Sequence, residues 1–168
     1  MKNNQASSGI VFDNVFHVEC YDGNGNLKWK DTAKNLVVNE GLNHVLDVQF
    51  HGATQVTTWY VGLKNTGAVA AGDTLASPGS WTENSNYTGD RKEFVEGAAS
   101  SQSISNSGNA ASFAIDTDSQ TIAGAFLCSA ATGTSGTLFS AADFTGGDKN
   151  CDDGDTLNVT YTVSASGS

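Results

Sequence analysis

The sequence predicts a mainly β protein: an all-β, β-sandwich or jelly-roll-like domain with one short helix near residues 39–50 and long loops. Three observations carry that expectation. Gly, Ser, Thr and Asn account for 69 of the 168 residues, where a helical bundle would be rich in Ala, Leu, Glu, Lys and Arg. Short runs of β-branched and aromatic residues recur between turn signals. Hydrophobic residues make up 38% of the chain, with a single proline, Pro78. A chain of this length buries about two-thirds of its unfolded surface, so it needs no metal or disulfide to hold a core.

Residues 1–9 are polar and read as a flexible N-terminal arm, followed by a single β-rich domain over 10–168. Ile10 to Tyr21 is β-branched and aromatic and partly alternates from Phe12 onward, as a half-buried strand does. Asp22-Gly23-Asn24-Gly25-Asn26 is a turn signal, because these residues tolerate positive φ. Leu27 to Lys30 returns as a second strand and Lys34 to Val38 as a third. Asn39 is placed to cap a helix in which Leu42, Val45, Leu46 and Gln49-Phe50 recur at helical spacing, ending before His51-Gly52. Thr57 to Leu63 reads as a central strand. Residues 64–90 form a long Gly/Asn/Ser/Thr-rich loop carrying Trp81 and Tyr87, and a loop of that length points to function or an interface. The remainder reads as strands: Ala111–Ile115, Thr121–Cys128, Thr137–Ser140 and Thr156–Val163, the last with Leu157, Val159, Tyr161 and Val163 on one face.

Eight basic against eighteen acidic residues give a net charge of −10. The basic residues are scattered, which excludes the clustered basic face of a nucleic-acid binder. No run of 18 apolar residues predicts a membrane span. The first nine residues lack the apolar core of a signal peptide, so maturation in a cytoplasm is expected. Cys20, Cys128 and Cys151 are odd in number and widely spaced, which predicts free thiols. Cys20 and Cys128 sit in apolar runs and read as core residues. Cys151 lies in the acidic loop Asp148–Asp153, whose carboxylates disfavour a thiolate.

The chain holds no nucleophile elbow, phosphate-binding loop or His-Glu-x-x-His motif. His17, His44 and His51 read as structural histidines. Asp148, Asn150 and Asp152 have the 1-3-5 spacing of a calcium loop, but Asp153 stands where the turn glycine is required and Val159 where the bidentate Glu belongs. A solvated hairpin loop is the expectation there, and no metal or other cofactor is assigned. Glu83, Glu93 and Glu96 near Trp81 and Tyr87 could supply paired carboxylates for glycoside hydrolysis. The aromatic pair could also stack a sugar, or pack a core or interface.

Three stretches resemble small virion proteins of tailed bacteriophages, often short-tailed ones. The first is Asn39-Glu40-Gly41-Leu42-Asn43 with Phe50-His51-Gly52 and Thr58-Trp59-Tyr60-Val61-Gly62-Leu63. The second runs from Glu96 to Ser107. The third runs from Ile122-Ala123-Gly124-Ala125-Phe126 through Leu138-Phe139-Ser140 to Gly154–Tyr161. The resemblance implies a non-enzymatic capsid cement or decoration protein: a homo-oligomer, dimer or trimer, assembled in the host cytoplasm. It would sit on the virion's capsid surface, bound to the major capsid protein and bridging capsomers, with neither nucleic acid nor membrane as partner. It carries over no catalytic residue. Expected contact elements are the arm and the loop 64–90, with Lys2, Asn3, Asn4, Arg91 and Lys92 as candidate capsid contacts. The alternative is a head-fibre or tail-associated module that binds host surface glycan, with Trp81 and Tyr87 exposed for stacking.

Overall fold

The structure is a computed structural model and describes residues 9–167. In chain order its elements are β1 (Ile10–Phe12), β2 (Val15–Tyr21), β3 (Leu27–Lys34), β4 (Leu36–Val37), α1 (Asn39–Phe50), β5 (Tyr60–Lys64), β6 (Glu83–Asn84) and β7 (Lys92–Glu93). There follow β8 (Ser103–Ser105), β9 (Ala111–Ala114), β10 (Gln120–Ile122), β11 (Gly124–Cys128), β12 (Leu138–Asp143), β13 (Lys149–Cys151) and β14 (Thr156–Gly167). This is the mainly β chain with one short helix that the composition predicts. Among the described residues no helix is long and apolar enough to cross a membrane.

Two antiparallel sheets face each other. In the first, β14 is the central strand: β2 pairs with Thr156–Thr162 and leads outward to β3, β1 extends that edge, and β8 and β9 pair with the opposite edge. The second runs β4-β12-β11-β5, with β6 and β7 both on β5. Alternation does what the pattern of β14 predicts. Leu157, Val159 and Tyr161 are buried, and they meet Phe16, Val18 and Cys20 of β2 in the core between the sheets. The Tyr161 ring stacks on Phe16 at 4.0 Å, and its hydroxyl, raised in pKa by burial, is held by Ser140 Oγ at 2.8 Å and by the Asn35 amide. Buried Asn106 fastens β14 from the side. Its Oδ1 accepts the Tyr161 N–H at 2.7 Å, and its Nδ2 donates to the Val159 carbonyl at 3.2 Å.

The second sheet is covered on both faces. Ala125 and Leu127 of β11 face the core, while Phe126 and Cys128 face a second apolar cluster with Leu75, Trp81 and Leu138. The cover is the segment expected to be a long contact loop. It carries the short strand β6, and it folds back over the sheet. Trp81 donates through Nε1 to Asp73 Oδ2 at 2.8 Å, and Lys64, fully buried, donates to the Gly67 carbonyl at 2.7 Å and pairs with Asp143. Further bonds within the segment add to these: the Asp73 N–H donates to the Ala70 carbonyl at 3.1 Å, and the Ala70 N–H donates to Asp73 Oδ2 at 2.9 Å.

Several boundaries differ from expectation. Thr121–Cys128 is two strands: β10 leaves the sheet at Ala123 to pair with β13. The central strand starts at Tyr60, three residues later than its apolar run suggests. Asn39 is the first helical residue and Val38 the N-cap, with no side-chain cap bond. The helix start is held instead by Glu40, whose Oε2 accepts the N–H groups of Leu75 (3.1 Å) and Leu138 (2.6 Å). Gly52, at φ +74°, follows the helix end in the left-handed conformation that commonly terminates helices.

Candidate functional site

Arg91 and Lys92, candidate capsid contacts, meet different fates. Arg91 is 6% exposed. Its guanidinium grips Glu83 with both forks (Nε–Oε1 2.7 Å, Nη2–Oε2 2.6 Å) and donates to the Ala130 and Gly133 carbonyls at 2.8 Å each. It lies over the Phe126 ring, 5.3 Å from its centroid, and Trp81 packs against the same ring at 5.4 Å. The ring has room because residue 62, its register partner on β5, is glycine; a Cβ there would fall inside the ring's van der Waals surface. Arg91 is therefore an internal clamp joining β6, β7 and the 130–133 turn, and not a surface contact. Lys92 is half-buried, donates to the Thr88 carbonyl at 2.7 Å and lies over the Tyr87 ring. Lys2, Asn3 and Asn4 lie outside the described residues.

Trp81 and Tyr87 pack as core residues and form no exposed sugar-stacking platform. Trp81 and Tyr87 are 3% and 4% exposed; Trp81 covers the second sheet, and Tyr87 packs edge-on against Phe113 in the main core. Nor do the carboxylates assemble. Glu83 is consumed by Arg91 and lines a hollow of about 200 Å³, while Glu96 lines a separate one of about 240 Å³ beside Trp59 and Phe139. Asp148, Asn150 and Asp152 do not converge on a cation position. Asp148 accepts from Thr66, and Asp152 is held by Lys28 and the Ser119 N–H, which lowers its pKa. Part of that segment, expected as a solvated loop, is the strand β13.

The placement of Cys151 brings together a group that the sequence reading missed. Cys151 is fully buried on β13, and its sulfur lies within 4.8 Å of Cys20 Sγ on β2 and of a carboxylate oxygen of buried Asp155. The cluster is complete as it stands. Asp155 Oδ2 takes the Lys28 ammonium at 2.6 Å, the Asp152 N–H at 2.8 Å and Cys20 Sγ at 3.9 Å. The position a metal would take beside the carboxylate thus already holds a cation, and a dication entering there would meet the ammonium at close range. The Cys20 hydrogen bond, burial and the neighbouring carboxylate push the Cys151 thiol far up, away from nucleophilic character. All three cysteines are free and buried.

What the surface does offer is on α1. The periodicity of Leu42, Val45, Leu46 and Phe50 predicts a buried face. Val45 does reach the main core, and His44 packs edge-on against Trp59 at 5.5 Å, which in turn meets Phe139 at 5.6 Å. The other three point outward: Leu42 is 39% exposed, Leu46 55% and Phe50 81%. The cause is Gly41, which is buried where α1 rests on the backbone of Phe139; a Cβ there would collide with it. That contact rotates the helix, so that its Glu40, Gly41, His44, Val45 and Val48 side faces the sheets. No protein-family model, curated protein or solved structure matches the chain.

Proposed function

We propose that the chain is a structural virion protein of a tailed bacteriophage, a capsid decoration or cement protein that binds the outer surface of the shell and stabilises it by bridging capsomers. The observation that carries this reading is where the resembling stretches fall. They occupy α1, β5, β8, β11, β12 and β14, the elements that frame both sheets. The likeness therefore runs through the scaffold and not through a grafted site. A chain of net charge −10 complements basic patches on a shell and stays soluble before assembly. Tight attachment then comes from many weak contacts made at once. The arm at residues 1–9 remains a proposed contact element, as does Lys92; the buried Trp81 and Tyr87 remove the residues on which glycan recognition was to rest.

The test is copy number. Mass spectrometry and band densitometry of purified virions should give on the order of hundreds of copies per particle, as a shell-wide cement requires. A dozen or fewer would place the protein at a tail or a single vertex and overturn the reading. Deleting residues 1–9 should lower capsid occupancy, and unchanged occupancy removes the arm from the contact.

A further inference from the structure

Two of the three cysteines meet across the fold. Cys20 is on β2, in the first sheet. Cys151 is on β13, which pairs with β10, and β10 runs through Ala123 into β11 of the second sheet. Both residues are fully buried, and their sulfurs lie within 4.8 Å of each other. A disulfide holds its sulfurs about 2 Å apart. The pair must therefore close by less than about 3 Å, a distance that χ1 rotations at the two residues can cover. We propose that Cys20 and Cys151 are a disulfide site: in an oxidising medium they join, stapling the first sheet to the β10–β13 extension of the second and leaving Cys128 as the free thiol. The inference stands apart from the decoration reading, and its test uses the isolated chain.

The surroundings accept the bond. The Cys20 S–H reaches Asp155 Oδ2 at 3.9 Å, the longest of that oxygen's contacts. Losing it leaves the carboxylate with the Lys28 ammonium at 2.6 Å and the Asp152 N–H at 2.8 Å. A disulfide brings no donor of its own, so oxidation leaves no buried polar group unpaired. Cys128 is out of reach: it belongs to the apolar cluster on the other face of the second sheet, with its S–H on the Ala130 carbonyl at 3.3 Å. The oxidant is a small organic disulfide, RSSR. The Cys20 thiolate attacks one of its sulfurs, the reagent's S–S bond breaks, and RS⁻ leaves. The Cys151 thiolate then attacks the Cys20 sulfur and expels the second RS⁻. The two thiol protons pass to the two RS⁻, so two cysteines are oxidised and one RSSR becomes two RSH. The first step prepares the second. The Cys20 thiol is the leading cause of the raised Cys151 pKa, and it no longer exists once Cys20 carries R. Burial slows both closing and reopening, because reagent enters only when β13 lifts from its three-residue pairing with β10. A bond formed there is a structural lock and not a fast sensor.

The full chain, reduced and freed of reductant, is incubated natively with bis(2-hydroxyethyl) disulfide, an uncharged reagent that a chain of net charge −10 does not repel. It is then unfolded, alkylated and digested with trypsin without reduction. Cleavage after Lys28, Lys92 and Lys149 puts Cys20, Cys128 and Cys151 on three separate peptides. The expected result is the loss of two of the three thiols, one pair of peptides joined through Cys20 and Cys151, and an alkylated Cys128. The bond closes a loop of about 130 residues, so the thermal midpoint should rise by roughly 5–15 °C. Cys128→Ala should form the same bond, and Cys151→Ala should show neither the joined pair nor the rise; the parent chain's peptides decide the matter even where a variant folds poorly. Three free thiols at the end of an incubation that oxidises the urea-unfolded chain overturn the proposal. So do a mixed disulfide at Cys20 that never closes, a link through Cys128, or a Cys20–Cys151 bond that leaves the midpoint unchanged or lowers it.

Discussion

Replacing Arg91 by Ala separates an internal clamp from a surface contact. The guanidinium makes four hydrogen bonds, two to Glu83 and one each to the Ala130 and Gly133 carbonyls. Removing it leaves two carbonyls without this donor, at about 1 kcal/mol each where water reaches them poorly. It also leaves Glu83 without its cation. The Glu83 side chain is 30% exposed, so water recovers part of the loss and about 1 kcal/mol is a fair figure for it, well below the 3–5 kcal/mol of a fully buried pair. The total is about 3 kcal/mol, which for a chain of this size lowers the thermal midpoint by roughly 6–12 °C. Urea unfolding followed by tryptophan fluorescence measures it. A variant within about 0.5 kcal/mol of the parent would refute the clamp, being the range of an ordinary surface substitution. If that stable variant also lost capsid binding, Arg91 would be a contact after all.

Two further outcomes follow from local geometry. The Asp31 carboxyl is pushed up by burial, but the Lys149 ammonium and the Gly146 and Thr32 N–H groups outweigh this and hold it below its ordinary 3.8. A depressed folded-state pKa contributes stability that is present above the ordinary value and lost as pH falls through the lower one. Asp31→Asn should therefore flatten the acid side of a plot of urea midpoint against pH, and parallel curves for variant and parent would show that Asp31 is not the group responsible. Gly62→Ala should cost about 1–3 kcal/mol by forcing the Phe126 ring aside. Combined with Phe126→Leu it should cost less than the two changes added, and strict additivity in a double-mutant cycle would deny the contact.

How much of this was legible depended on whether the deciding partner lay nearby in sequence. Strand β14 was readable because Leu157, Val159 and Tyr161 alternate with Asn158 and Thr160, and one face of its sheet is open to water. Strand β11 has no alternation, since the 65–82 segment covers the face opposite the core; a run such as Gly-Ala-Phe-Leu-Cys says buried without saying by what. Strand β13 could not be found by pattern, because Lys-Asn-Cys has no periodicity and its pairing with β10 is made by backbone groups. Arg91 read as a surface charge because two of its acceptors, Ala130 and Gly133, lie about forty residues away. The cluster of Cys20, Cys151 and Asp155 escaped for the same reason: Cys20 and Asp155 are 135 residues apart.

The helix makes a different point. Its period predicts an apolar face correctly, and the usual inference assigns that face to the chain's own core. Here the rotation is set by glycine: Gly41 seats α1 against the Phe139 backbone, and Val45 and Val48 turn towards the sheets. Leu42, Leu46 and Phe50 are what remains. A single exposed leucine needs no explanation, but three large apolar side chains aligned on one helix face form a continuous patch, the kind that marks a binding surface. Ile10, Val11, Leu27, Leu36 and Val95 are exposed as well, but they lie on four separate segments and not on one helix face. A helix period thus states that the helix has an apolar side, while the docking glycine determines how much of that side meets the chain's own core. In this protein the seating of Gly41 on Phe139 leaves Leu42, Leu46 and Phe50 exposed, while Val45 alone of the periodic residues packs against the main core.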